Sequence, residues 1–546
     1  MSTLLLFVAN QPARAGSATW NLNPTSGDWN TATNWTPATV PNSATDVATF
    51  GVSDTTAVGL STSVLVDSII FEPGASAYTI TASTGTVGGS LTLGGAGIVN
   101  NSGLPQNFVV TSWPSSQAIF TGTSTAGSMT TFYNQPGGTF GLTPGEQFQD
   151  KSSADHATFI TDGSLSQSST FSGQVQFLGT STAGNGTFIN NPGATNGGFT
   201  GFFDSSKAGN GTIICNGGTA TQHFGGVVSL STKSSGDNGV FIANAAGAPN
   251  AQGGQINIIF SASAGSATLI ANGGQEKGGH ISYSTSSEGG GARIELFGNG
   301  TLDVSSPVAP VTTIGSLEGD GLVFLGGKNL SVGFNRLSTT FSGVIADGGS
   351  LGGVGGSLTK IGVTSFELSG ANTYTGGTTV NAGTLIVSNR NGSGTGTGAV
   401  SITADVTLGG SGIISGAVTL FNGAFLAPAH GTKAQSTFTI QSPLIFNTGS
   451  TYTYTFKAKG NKAKTDKVIA NGVTINSGAT FNFSGTAQGT LTQGLVLTAI
   501  SNTAATPIAG SFSNLADGAI LTVGANHFQA SYEGGGGNDL TLTVVP

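Results

Sequence analysis

The 546-residue sequence predicts an all-β fold, a right-handed parallel β-helix (solenoid) with β-rich N- and C-terminal caps. Three observations carry this expectation. A repeat of about 27 residues runs through the middle third, with short apolar strand segments and no helical periodicity. Gly supplies 90 residues, and Gly, Asn and Ser clusters punctuate the strands. Charged residues make up 7% of the chain, against about 25% in an ordinary globular domain. Stacked coils account for that depletion, because columns of like charge repel at every step whereas Ser, Thr and Asn columns hydrogen-bond.

The repeat is clearest in "FTGTSTAGSMTTFYNQPG" from Phe120, "FLGTSTAGNGTFINNPG" from Phe177 and "FFDSSKAGNGTIICNGG" from Phe202. Each unit holds an aromatic residue or Leu, a Ser/Thr run, a small-residue turn, an apolar pair, and then Asn or Asp. The pairs are Phe132-Tyr133, Phe159-Ile160, Phe188-Ile189, Ile213-Ile214, Phe241-Ile242, Leu269-Ile270 and Leu296-Phe297. Two residues beyond each pair lies Gln135, Asp162, Asn191, Asn216, Asn244, Asn272 or Asn299, at intervals of 25 to 29 residues. This column is expected to form a structural ladder, since an Asn amide both donates and accepts along a stack and Asn tolerates left-handed turns. The Phe and Ile columns are expected to stack inside as a continuous apolar core. Right-handedness follows from the crossover rule for parallel strands. A glycine-rich β-sandwich array is the structural alternative.

Taken in order, residues 1–15 read as a truncated signal peptide. Leu4 to Ala9 form a short apolar run, and Ala13-Arg14-Ala15 supplies a small-x-small cleavage pattern. Residues 16–100, with Trp20, Trp29 and Trp35, form a cap and the first coils, because a solenoid needs its open apolar end covered. Residues 101–439 hold the repeats. Residues 440–546, with longer strands such as "STYTYTFKAKG", form a C-terminal β-rich cap or small β-domain.

Composition excludes several classes of function. The 32 Phe and 37% hydrophobic residues contradict disorder. A net charge of −8 without a basic stripe gives no nucleic-acid partner. No stretch from Gly16 onward has the length of a transmembrane segment. The single cysteine, Cys215, forms no disulfide framework and reads as a small buried residue. His156, His223, His280, His430 and His527 show no metal-ligand spacing, so no metal and no cofactor is expected. "GGGGNDLTL" at 534–542 partly mimics a calcium nonapeptide, but Thr541 occupies its large-apolar position.

A catalytic β-helix would need carboxylates facing one groove. Asp150, Asp155, Asp162, Asp204, Asp237, Arg293 and Glu295 are spread along the repeats. Of these, Arg293 and Glu295 share a strand face and read as a surface ion pair worth at most about 1 kcal/mol. No catalytic residue is assigned. One cationic cluster stands out: Lys457, Lys459, Lys462, Lys464 and Lys467 are five of the sixteen basic residues. They are candidates for gripping an anionic surface, with edge-strand protection as the competing role.

One segment carries a resemblance. Leu358, Lys360, Gly362, Leu368, Gly370, Asn372-Thr373-Tyr374-Thr375-Gly376-Gly377-Thr378-Thr379-Val380 and Gly383-Thr384-Leu385 resemble the passenger-associated transport repeat, a β-strand repeat of autotransporter passengers in Gram-negative bacteria. "VTLGGSGIISGAVTL" at 406–420, the closing "GGGGNDLTLTV" and the Trp-rich opening are similar to neighbouring parts of such proteins. Within the repeat, Val380, Leu385 and Val387 are expected inside, with Thr378, Thr384 and Ile386 on the other face. Two departures appear. Ala429 and His430 follow Pro428 where the family often has a Pro-Gly turn, and the sequence to Pro546 shows no translocating barrel.

The resemblance implies a secreted or outer-surface location on a Gram-negative-type bacterium. The resulting expectation is a non-catalytic structural or adhesin-like protein that meets extracellular glycan, envelope or matrix components through Ser/Thr/Asn-rich faces. A polysaccharide-cleaving β-helix enzyme and a phage-like fibre are the alternatives.

Overall fold

Four-residue strands with alternating side chains can bury one face only by stacking, and this constraint shapes the chain. The computed structural model describes residues 16–546 apart from 83–88, 112–115, 137–144, 169–170, 307–310 and 432–434. The signal-like segment 1–15 lies outside the described residues. The fold is an all-β solenoid of parallel coils; the only helical turn among the described residues is a 3-10 turn at Ala32–Asn34. It divides into two compact units, Met1–Asn257 with Gln275–Lys277, and Ile258–Gly274 with Gly278–Pro546.

In the first unit each repeat contributes two paired strands and a bridge. One sheet stacks Gly145–Phe148, Gln174–Phe177, Phe199–Phe202 and Val227–Leu230 in parallel register. The other stacks Thr130–Gln135, Thr158–Thr161, Thr187–Asn190, Thr212–Cys215 and Val240–Ala243. Between them, single bridges join Thr125, Ser153, Thr182, Lys207 and Ser235 in succession.

Register puts like on like. Phe120, Phe148, Phe177 and Phe202 stack with ring centroids 4.6, 4.8 and 4.8 Å apart. Phe108, Phe132, Phe159 and Phe188 stack at 4.8, 4.9 and 4.8 Å. The two columns meet edge to face at 5.6–5.9 Å, the geometry that the ring quadrupole favours.

The expected interior Ile column is corrected. Phe159, Phe188, Ile213 and Phe241 are fully buried, but Ile160, Ile189, Ile214 and Ile242 point outward at intermediate exposure. Successive side chains on a strand alternate faces, so an adjacent pair cannot share the core.

Both corners flanking the bridge need left-handed backbone. At the first, Gly122, Asp150, Gly179, Asp204 and Thr232 follow one another with φ of 62°, 55°, 65°, 55° and 58°. At the second stand Gly127, Asp155, Gly184, Gly209 and Asp237, all with positive φ. Gly accepts this conformation without a steric cost, and Asp is among the few residues that also tolerate it.

Trp20, Trp29 and Trp35 are buried together against Phe50, with centroids 5.0 to 6.0 Å apart. Their indole N–H groups donate to the carbonyls of Thr55, Pro41 and Trp29 respectively. Such a cluster gives large apolar burial without leaving an indole donor unpaired.

The second unit has sheets of the same kind. One runs Thr268–Ala271, Arg293–Leu296, Ser316–Gly319, Thr339–Phe341, Ser365–Leu368, Thr384–Val387, Thr407–Gly410 and Phe425–Ala427. A further sheet stacks Val311–Ile314, Asn329–Val332, Ser357–Lys360, Thr378–Val380, Val400–Ile402, Val418–Leu420, Leu444–Phe446 and Val473–Ile475. Parallel pairing persists to Val496–Asn502, after which Asp539–Val545, Asn526–Gly534 and Ile520–Val523 close the chain as an antiparallel sheet.

Inward and outward positions should differ sharply in cost. Phe177→Ala is expected to destabilise the protein by about 3–5 kcal/mol, whereas Ile189→Thr, outward in the same coil, should cost less than about 1 kcal/mol. Urea unfolding of the two variants measures the difference.

Candidate functional site

Five of the expected ladder residues, Gln135, Asp162, Asn191, Asn216 and Asn244, lie in the first unit at the ends of one sheet's strands, and Asn272 and Asn299 lie in the second. Asn191 Nδ2 donates to Asp162 Oδ1 at 2.8 Å, Asn216 Nδ2 to Asn191 Oδ1 at 3.0 Å, and Asn244 Nδ2 to Asn216 Oδ1 at 3.0 Å. Asp162, which can only accept when ionised, terminates a run of amides that all point the same way. Gln135 is exposed at the end of its strand. In the second unit, Asn299 accepts a hydrogen bond from the Gly274 amide at 2.8 Å. Beside the ladder lie the outward Ile column and a Thr column, Thr158, Thr187 and Thr212, so this face carries three parallel stripes of amide, aliphatic and hydroxyl groups.

The scattered aspartates have corner roles. Asp150 Oδ2 accepts the Gly122 amide and Asp204 Oδ2 the Gly179 amide, each at 3.0 Å. Asp155 meets His156 at 2.7 Å, and Asp237 accepts the Ser235 hydroxyl at 2.9 Å.

Arg293 and Glu295 do face one way, and the register adds a third member that sequence spacing hides. Glu318 pairs with Glu295 on the adjacent strand, and Arg293 Nε lies 3.1 Å from Glu295 Oε1 and 2.5 Å from Glu318 Oε1. One guanidinium nitrogen thus contacts both carboxylates.

A second group that sequence reasoning missed is buried. Glu146 is 1% exposed, and its Oε2 accepts from Asn134 Nδ2 at 2.6 Å. Glu146 Oε1 and Asn134 Oδ1 are both buried without a hydrogen-bond partner. Burial pushes the Glu146 carboxyl up to about 8, so it holds its proton near neutrality. The signal was its place in "GEQF", one residue after the strand start, where the next coil has inward Val175. Cys215 is likewise buried, its thiol pushed up to about 12 by burial.

Four of the five clustered lysines come together. The strands Thr451–Lys459 and Lys462–Thr465 form an antiparallel hairpin in which Lys457 faces Lys464 and Lys459 faces Lys462. All four are exposed, and none is ion-paired among the described residues. The flanking strand sets Thr486 beside Lys457 and Gln488 beside Lys459. Lys467 begins a strand of another sheet and is half-buried, so it stands apart from this face.

In the repeat-like segment, Val380, Leu385 and Val387 are buried, and Thr384 and Ile386 turn outward. Thr378 is corrected: it is 2% exposed and faces inward with Val380, two residues away, its hydroxyl 2.5 Å from the buried Tyr374 hydroxyl. Asn372 is also inside. Its Oδ1 accepts the Ile345 amide at 2.8 Å and its Nδ2 donates to the Gly394 carbonyl at 2.6 Å, tying the coils before and after. Lys360 is 1% exposed; its Nζ donates to the carbonyls of Ile361, Gly362 and Ala382 at 2.6, 2.7 and 3.2 Å, and burial lowers it to about 8.

Among the described residues, no three His, Cys, Asp or Glu side chains gather so as to hold a metal ion, and no helix is long and apolar enough to cross a membrane. The 534–542 segment is a hairpin in which Gly534 pairs with Asp539, whose Oδ1 accepts the Asn502 amide at 2.9 Å.

Two outcomes test these polar groups. Asn216→Asp places a carboxylate against Asn191 Oδ1 and should cost about 1–3 kcal/mol at neutral pH; relative to the native chain, part of that loss should return at acid pH, where the new carboxyl donates. For Glu146 the folded value lies above the unfolded one, so no loss arises while both states are protonated, below about pH 4.5. Between there and about pH 8 only the unfolded chain releases the proton, and stability falls by roughly 1.4 kcal/mol per pH unit. Glu146→Gln should flatten this part of the stability-against-pH curve in calorimetry.

Residues 358–387 match the family model described as Passenger-associated-transport-repeat. No curated protein matches the chain. The matched residues span the paired strands Ser357–Lys360 with Thr378–Val380 and Ser365–Leu368 with Thr384–Val387, two successive rungs of the second unit. The chain is thus an autotransporter-passenger-like β-solenoid that carries a passenger-associated transport repeat.

Proposed function

We propose that the protein is a non-catalytic structural or adhesin-like component of the bacterial exterior, secreted or held at the outer surface, which binds anionic envelope or matrix polymer. The observation that carries this reading is the lysine hairpin. Two directly opposed Lys–Lys pairs are destabilising on their own, and among the described residues no carboxylate forms an ion pair with them. An acidic glycan or a phosphate-bearing envelope polymer supplies the missing charge along the whole face at once. The Thr, Ile and Asn stripes of the first unit add a repeated surface on which many weak contacts sum by multivalency. The passenger repeat supports the extracellular setting.

The non-catalytic reading rests on what the polar groups already do. The aspartates are engaged in corners and ladder, and Arg293 is inserted between Glu295 and Glu318.

Lys462→Glu separates a binding role from an edge-guarding one. The new carboxylate faces Lys459, so the hairpin should gain about 0.2–1 kcal/mol, while affinity for polygalacturonate or lipopolysaccharide micelles should fall at least tenfold. Native binding should also weaken steeply with added salt. Binding equal in both proteins, or absent from the native one, would reject the proposal.

A further inference from the structure

The outer face of the other sheet in the first unit carries a groove that the lysine reading does not involve. Its floor is set by register. The first residue of each four-residue strand points outward, and Gln174, Phe199 and Val227 are in line. Gln255 follows one rung on, its amide N donating to the Gly226 carbonyl at 2.9 Å. Successive rungs therefore present amide, ring, branched aliphatic and amide over about 14 Å.

The excursions between coils form the wall. Phe224 and Asn196 line it, and the Gly193 and Phe224 backbones bond reciprocally at 2.9 and 2.8 Å. Close stacking fixes this wall, since a Cβ at Gly197 would lie 2.0 Å from the Gly225 carbonyl oxygen. The open groove has a volume of about 490 Å³, within the range of small-ligand sites.

The lining chemistry is specific. Among the described residues, no ionisable side chain lines the groove. Phe224 is 44% exposed, so its ring is open to a ligand. Phe199 is held by its neighbours, because its ring and that of Phe203 converge over Gly201, where an added Cβ would lie 2.6 Å from each.

Gln174 is oriented by a chain of amides. Gln149 donates to Gln147 at 3.2 Å, Gln147 to Gln176 at 3.5 Å, and Gln176 to Gln174 Oε1 at 2.8 Å. Its own Nε2, like the side-chain amide of Gln255, has no intramolecular partner among the described residues and is free to meet a ligand.

We infer that this groove binds a neutral oligosaccharide. The C–H faces of a pyranose suit the electron-rich faces of Phe199 and Phe224, and its hydroxyls suit amides that both donate and accept. An acidic ligand finds no countercharge here, and burying an unpaired charge is costly. The length of the floor, from Gln174 to Gln255, exceeds one sugar ring and favours a chain.

The test uses the full-length protein with cellohexaose, chitohexaose and maltohexaose, and with hexagalacturonate as the acidic control, in saturation-transfer NMR and calorimetry. At least one neutral hexasaccharide should bind, with affinity unchanged by added salt. Phe224→Ala and Phe199→Ala should each weaken it about tenfold or more. Phe224→Leu, which keeps apolar bulk and removes the ring, should also weaken it while circular dichroism and melting stay native. Lys462→Glu should leave it unchanged, which separates this site from the lysine face. The inference is overturned if no neutral hexasaccharide binds at about 10 mM, weaker than the millimolar range of a minimal site. It is also overturned if the Phe199→Ala/Phe224→Ala double variant binds as well as the native protein, or if hexagalacturonate binds the groove more tightly.

Discussion

Each residue of a coil lies about 4.8 Å from its counterpart in the next, and almost every other feature follows from that proximity. A column tolerates only what can stand on a copy of itself. Rings stack, amides donate down the line, hydroxyls share protons, and glycine corners nest. Ion pairs are few and local, as at Arg293, where the stack places two carboxylates on adjacent strands and one guanidinium serves both. The lysine hairpin departs from the rule: it opposes like charges twice within one turn. There the strand Thr451–Lys459 has a parallel neighbour on one side and an antiparallel one on the other.

The repeat and the parallel solenoid were legible because period and punctuation survive in sequence. So was the column that includes Asp162, Asn191, Asn216 and Asn244, whose spacing reports the coil length. Facing was harder to read. Phe159 and Ile160 are equally apolar, and only the alternation of a strand sends one inward and the other out; the same rule carries Thr378 inside with Val380. Glu318 and Glu146 were illegible for a different reason. Their partners, Arg293 and Asn134, come from other strands, and the connecting excursions vary in length, so the register that unites them cannot be counted along the chain. The groove on Phe199 and Phe224 belongs to the same class, since strand and excursion meet there only after folding.

The recognisable transport repeat shows why a motif can lack chemistry and still be specific. Lys360, Asn372 and Tyr374 are buried, and each spends its polar atoms on backbone or on a neighbouring hydroxyl. Buried polar groups left unpaired are costly, so these identities fix how one rung closes on the next. What the motif specifies is coil geometry, and residues that face outward elsewhere, such as Lys457 and Lys459, take no part in it.

The corner column Gly122, Asp150, Gly179, Asp204 carries a consequence for how such a chain changes length. Charged and uncharged corners alternate, so the carboxylates stand two rungs apart, about 10 Å, and each binds the amide of the uncharged corner preceding it. Duplicating a single coil that bears Asp150 would set two carboxylates on adjacent rungs, about 4.8 Å apart. Duplicating a coil together with its neighbour preserves both the spacing and the bond.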